Sequence, residues 1–105
     1  MKIVAVTACP TGIAHTYMAA EQLEKTAKAL GHSIQVETQG AMGIENELSK
    51  KLIGEADAVL FAVDIEVEKR ERFEGKKILQ VSVREAIKNP KGIFERLAMG
   101  SERPS

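Results

Sequence analysis

Residues 1–40 carry an apolar run, a helical stripe and a second extended run, joined by segments so short that few arrangements connect them. From Lys2 to Ala8 the residues Ile3, Val4 and Val6 make a nearly continuous apolar stretch, the pattern of a strand buried on both faces. Ile13, Tyr17, Ala20, Leu23, Ala27 and Leu30 then recur three and four apart, with Glu21–Lys25 and Glu24–Lys28 as favourable pairs on the other side and Gly31 as the stop; this is an amphipathic helix. Ser33 to Gln39 follows, alternating Ile34, Val36 and Thr38 with Gln35, Glu37 and Gln39. Strand, helix and strand with short joints form a right-handed crossover, which makes the two strands parallel.

A second crossover is expected beyond it. After Gly40 and Gly43, Ile44, Leu48 and Leu52 suggest a shorter helix, and Asp57 to Val63 reads as a fully buried strand. Asp64 to Phe73 is dense in charge and reads as a solvated loop or short helix, and Ile78 to Val83 as a fourth strand. The helical pattern from Val83 to Met99 is broken at Asn89 and Pro90, giving two short helices. The expected fold is α/β: a doubly wound, Rossmann-like, four-stranded and mainly parallel sheet of order 2-1-3-4, with helices on both faces. A chain of 105 residues makes one domain, here 1–99, with 100–105 as a tail or linker.

Composition narrows the partners. Lys plus Arg and Asp plus Glu both total 15, so the formal net charge is zero and nothing points to nucleic acid or anionic lipid. A single cysteine makes no internal disulfide, and no apolar run is long enough to cross a bilayer, so the cytoplasm is the expected compartment. No metal-ligand spacing is present, and neither a metal nor another cofactor is expected. His32 stands near a helix end, where the dipole accounts for it.

That one cysteine, Cys9, ends the first strand and opens CPTGIAHT, which runs into the helix. In a doubly wound sheet ligands bind beyond the carboxyl ends of the strands, and Cys9, Gly40 and Asp64 all fall at such ends. Unpaired amides at a helix entrance hold anions and favour a thiolate. Thr11, Gly12, Ile13, Ala14 and His15 offer backbone N–H groups, Thr11 and Thr16 add hydroxyls, Gly12 permits close approach, and Pro10 fixes the turn. The plain alternative is a small apolar cysteine at a buried strand end; the clustering of donors weighs for a phosphate cradle.

His15 stands six positions after Cys9, where the C-x5-R-S/T loop of cysteine phosphatases has an arginine. An imidazole cannot grip two oxygens as a guanidinium does, so His15 is a weaker phosphate contact, or else a first-turn residue facing solvent. Gln39 and Gly40 are candidates for a second wall of the site, the plain alternative being a tight turn. Asp64 and Glu66 would repel a thiophosphate and receive no catalytic role. Glu66 to Arg72 reads as a solvated face.

CPTGIAHTYMAAE, VETQGAMGIEN and ADAVLFAVDIEVEKRERF resemble the fructose-type enzyme IIB domains of the bacterial phosphoenolpyruvate-dependent sugar phosphotransferase system, in the family's order, from Met1 to about Phe94. The resemblance implies a phosphocysteine at Cys9 within the loop Pro10, Thr11, Gly12, Ile13, Ala14, His15 and Thr16. It also implies a IIA phosphohistidine donor, a sugar acceptor carried by a membrane IIC domain, fructose as the sugar, and a place at the inner face of the plasma membrane. The rival reading is a low-molecular-weight phosphatase-like or arsenate-reducing enzyme. The absence of both a loop arginine and an assigned acid favours a carrier, because a well-placed water and acid would lose the group to hydrolysis.

Overall fold

The computed structural model describes residues 1–10, 13–41 and 43–99. Its sheet contains β1 (Lys2–Ala8), β2 (Ser33–Gly40), β3 (Gly43–Glu45), β4 (Ala58–Val63) and β5 (Ile78–Val81), in the order β3-β2-β1-β4-β5. β1 pairs in parallel with β2 (Ala5↔Val36) and with β4 (Ala5↔Leu60), and β4 with β5 (Leu60↔Leu79). The helices are α1 (Ile13–Ala29), α2 (Lys50–Glu55), α3 (Val83–Lys88) and α4 (Pro90–Ala98), with a 3-10 turn at Arg70–Phe73. The expected doubly wound α/β sheet and the order of its four parallel strands are present, and a fifth, antiparallel edge strand is added.

Strand alternation divides the core between the two faces. Ile3, Ala5 and Cys9 join Ala19, Leu23, Val83, Ile93 and Phe94 beneath α1, α3 and α4. Val4, Val6 and Ala8 join Leu48, Ile53, Phe61 and Phe73 beneath α2 and the 3-10 turn. Small residues let α1 lie close to the sheet: Ala19 and Ala27 are fully buried. Two members of the anticipated stripe are not in it, since Tyr17 is 40% and Leu30 42% exposed, and the buried line runs instead through Thr16, Ala19, Ala20, Leu23 and Ala27.

β3 replaces the start of the anticipated second helix. Gly43 takes φ +85° and pairs with Gly40 across a hairpin, and Asn46 takes φ 55°. Such left-handed residues stop a helix from forming through Ile44. The helix begins at Lys50 instead, where the Ser49 hydroxyl accepts the Leu52 N–H at 3.1 Å. The break at Asn89 and Pro90 is as anticipated: Asn89 caps α4 through the Gly92 N–H at 3.3 Å, and Pro90 occupies its first turn.

The charged run is solvated as expected at Glu66, Glu68, Lys69 and Glu71 and carries a short helical turn at Arg70–Phe73, but Arg72 departs from that reading. Glu37, on the polar side of β2, is fully buried and receives Arg72 bidentately, Nη1 to Oε1 at 2.7 Å and Nη2 to Oε2 at 2.9 Å. The Leu48 N–H (2.8 Å) and the Gln39 side-chain amide (2.6 Å) complete the carboxylate's shell. Arg72 also donates to the carbonyls of Lys69 (2.9 Å), Leu48 (3.0 Å) and Glu68 (3.2 Å), so all five guanidinium N–H groups are used. A period-two polar pattern on a strand says which side chains share a face, not whether water covers them; here another loop does.

Burial alone would push the Glu37 carboxyl up. The Arg72, Leu48 and Gln39 hydrogen bonds and the Arg72 charge outweigh it and hold the group below its ordinary 4.5. A carboxyl depressed in the folded state adds stability that is complete above its unfolded value and is lost as pH falls through its folded one. Urea unfolding should therefore show stability declining below about pH 4.5. Arg72→Ala should cost about 3–5 kcal/mol at pH 7. With the guanidinium gone, burial raises the Glu37 carboxyl, so this penalty should shrink as pH falls; a penalty independent of pH would sink the account.

Candidate functional site

Backbone ties gather the site at the carboxyl ends of the two central strands. The Asp64 N–H donates to the Ala8 carbonyl at 2.9 Å, bringing the end of β4 beside Cys9. Thr7, fully buried, donates through Oγ1 to the Thr16 carbonyl at 3.2 Å and fastens the first turn of α1 to β1. The Asp64 carboxylate accepts the Val83 N–H at 3.3 Å and sets the entrance of α3 against the same strand end.

A pocket of about 400 Å³ opens there, lined by Cys9, His15, Asp64 and Arg84 together with the apolar side chains of Met18 and Ile87. Val83 and Lys88 complete its wall. Cys9 forms its floor at 6% exposure, and His15 lies exposed on the first turn of α1. The pairing of thiol and imidazole anticipated from their spacing is thus a shared pocket. A more open groove of about 640 Å³ lies along residues 70–78, at the amino-terminal end of β5. It contains no cysteine, histidine or hydroxyl side chain and stands away from the strand ends where ligands collect.

The remaining candidates separate. Pro10 is exposed in the turn after the thiol, and Ala14 is exposed on the first turn of α1, which Ile13 opens. Thr11 and Gly12 lie outside the described residues, as does the Ile13 side chain. Thr16 is buried and, with Gly40, lines a neighbouring crevice beside Tyr17, Thr38 and Glu45, not the Cys9 pocket. Gln39 is also turned away from the thiol. Its amide donates to the Glu68 carbonyl at 3.1 Å and accepts the Glu68 N–H at 2.8 Å, so it works as a clamp on the 68–72 segment.

Val83, Arg84, Ile87 and Lys88 in VREAIK had no role in the reading of the sequence, yet they line the pocket. The i,i+4 spacing of Arg84 and Lys88 was visible. What it could not reveal is that the chain recrosses after β5 and lays α3 against α1. Among the described residues, no group of three or more His, Cys, Asp or Glu side chains is placed to hold a metal ion.

Comparison with known proteins decides the family. The family profile described as "PTS system, Lactose/Cellobiose specific IIB subunit" matches residues 4–96. The "PTS system fructose-like EIIB component 2" of Escherichia coli K12 is 50% identical over 96 residues, covering 91% of each chain. The chain belongs to the IIB family of the sugar phosphotransferase system. A domain of fruA from Bacillus subtilis has the same fold, with TM-score 0.90 and 45% identity over the whole of both chains. The "PTS system fructose-specific EIIABC component" of Bacillus subtilis is 50% identical over 103 residues, 98% of this chain and 16% of that protein. As a IIB domain this chain is a phosphoryl carrier and a phosphotransferase, and the phosphatase or arsenate-reductase alternative is not favoured. Among the described residues no helix is long and apolar enough to cross a membrane.

In the neighbouring crevice, the Tyr17 hydroxyl donates to Glu45 Oε1 and joins α1 to the β2–β3 hairpin. That hydrogen bond first, then desolvation and the carboxylate's charge, push the phenol above its ordinary 10.0. Tyr17 is the only tyrosine, so absorbance titration of the folded protein should place its midpoint above 10.0, and Glu45→Ala should return it toward that value. An identical midpoint in the variant would remove the contact.

Proposed function

We propose that Cys9 accepts a phosphoryl group from a phosphohistidine of a IIA domain and passes it to a sugar, fructose, translocated by a membrane IIC domain. The single observation that carries this reading is the placement of Cys9 on the floor of a pocket at the carboxyl ends of β1 and β4, beside His15 and the entrance of α1. The fructose-like and fructose-specific names of relatives support the sugar, and the EIIABC name of one supports all three components acting together. The working place is then the cytoplasmic face of the membrane, through IIC.

In the first half-reaction the Cys9 thiolate attacks phosphorus in line. The S–P bond forms, the N–P bond breaks, and its electron pair returns to the donor imidazole, which takes up a proton. In the second half a sugar hydroxyl attacks phosphorus, the S–P bond breaks, Cys9 leaves as thiolate, and the hydroxyl proton passes to solvent. Sulfur suits both halves, being a strong nucleophile and a fair leaving group. The loop amides and the α1 entrance stabilise the oxygens as charge shifts between them. His15 donates to the group as a phosphate contact. Met18, Val83 and Ile87 keep the pocket wall apolar, which slows loss of the group to water.

With labelled phosphoenolpyruvate, the general phosphotransferase proteins and a fructose-type IIA domain, peptide mapping should find alkali-stable, iodine-labile label on Cys9 and none in Cys9→Ser. Label on another residue, or steady aryl phosphate hydrolysis abolished by Cys9→Ser, would overturn the relay. His15→Ala should keep its thermal unfolding transition, because an exposed first-turn position tolerates alanine, and should slow loading about 10-fold through loss of one donor to a charged group. Unchanged single-turnover kinetics would take His15 out of the mechanism.

A further inference from the structure

The Cys9 pocket holds more positive charge than its loop supplies. Arg84 and Lys88 line it from α3, four positions apart and therefore on one side of that helix. Among the described residues, neither has an ion-pair partner. The neighbouring arginines are engaged elsewhere. Arg70 lies 5.2 Å over the Phe61 ring, Arg72 is held by Glu37, and Arg96 binds Glu85 at 2.8 Å. Glu85, adjacent to Arg84 in the chain, is thereby turned toward α4. Asp64, the carboxylate in the pocket wall, accepts the Val83 N–H and forms no ion pair with Arg84 or Lys88.

Two like charges at this spacing repel and weaken a helix as short as the six residues of α3. An anion in the pocket removes that repulsion. The Cys9 loop has His15 where a phosphatase-type loop has its guanidinium, and α3 brings a guanidinium to the same pocket from the other side. Arg84 stands outside the loop, on α3. We infer that Arg84 is the counter-ion of the phosphoryl group on Cys9, gripping its oxygens from α3, with Lys88 adding a second positive charge one turn on. This rests on Cys9 being the phosphoryl carrier. Arg84 stabilises the group as it arrives and while it is held, a task usually given to an arginine within the loop.

The test uses the full chain as wild type, Arg84→Gln and Arg84→Lys, loaded from a phosphorylated fructose-type IIA domain, with thermal unfolding confirming that each variant is folded. Loading is followed in single turnover, and the second ionisation of phosphocysteine by 31P NMR titration. Arg84→Gln should slow loading about 10- to 100-fold, as for loss of a charge-assisted hydrogen bond. It should also raise the 31P midpoint, because a nearby cation favours the dianion. Arg84→Lys should restore the midpoint and only part of the rate, since an ammonium keeps the charge and loses the fork. Loading of Arg84→Gln at the wild-type rate overturns the inference. So does slower loading with an unmoved midpoint, which would make Arg84 a contact of the donor protein instead. Failure of wild type itself to load Cys9 overturns the carrier reading, and is distinguished because it needs no variant.

Discussion

The bidentate pair between Glu37 and Arg72 is the interaction on which the irregular half of this fold depends. A buried carboxylate or guanidinium alone is too costly to keep, and each is tolerated because the other and its surrounding donors and carbonyls satisfy it completely. In doing so the pair draws together segments with little regular structure. β2 supplies Glu37, the approach to α2 supplies both backbone groups of Leu48, and the segment before β5 supplies Arg72 with the carbonyls of Glu68 and Lys69. Gln39 adds a second stitch between β2 and Glu68. Without this cluster, α2 and the 3-10 turn would rest on Ile53, Phe73 and their apolar neighbours and on peripheral contacts such as those of Lys76 with the Gly54 and Ala56 carbonyls.

The site occupies the other face. Cys9 belongs to the cluster under α1, α3 and α4, and the elements around it are positioned by main-chain bonds at Ala8 and Thr16 and by the Asp64 carboxylate at Val83. The polar anchor on one side and the Cys9 pocket on the other share β1 and the rest of the sheet but no side chains. The Glu37–Arg72 charges are therefore kept out of the Cys9 pocket.

Much of this was legible in the sequence, and the losses have specific causes. The β1–α1–β2 unit, the order of the parallel strands, the buried β4 and the paired short helices followed from periodicity, Gly31 and Asn89–Pro90. The edge strand was missed because Gly43 and Ile44 read equally well as the entrance to a helix, and only the left-handed Gly43 and Asn46 decide for a hairpin. Tyr17 was placed in the core by its spacing, whereas its hydroxyl finds Glu45 at the surface. Glu37 and Arg72 are 35 positions apart, so neither local charge pattern could announce the partner. Of the residues that line the Cys9 pocket, Cys9 and His15 stood out in the sequence because they share one loop and helix. Arg84 and Lys88 were not, because their place depends on a return of the chain across the sheet.

Cys9 is counted among the buried residues of its core cluster while also lining a pocket. If a phosphoryl group resides there, loading converts an apolar atom of the core edge into a dianion, and the folded protein and the unfolded chain meet that change in different surroundings. Thermodynamic linkage then requires that any stability gained or lost on loading appear, with opposite sign, in the free energy released when the group departs. The fold thereby sets the voltage of the carrier: a pocket that welcomed the dianion too warmly would make a stable phosphoprotein and a poor donor. On that reading, the nearly buried thiol, its apolar wall and the cations on α3 would be the terms in which that balance is struck.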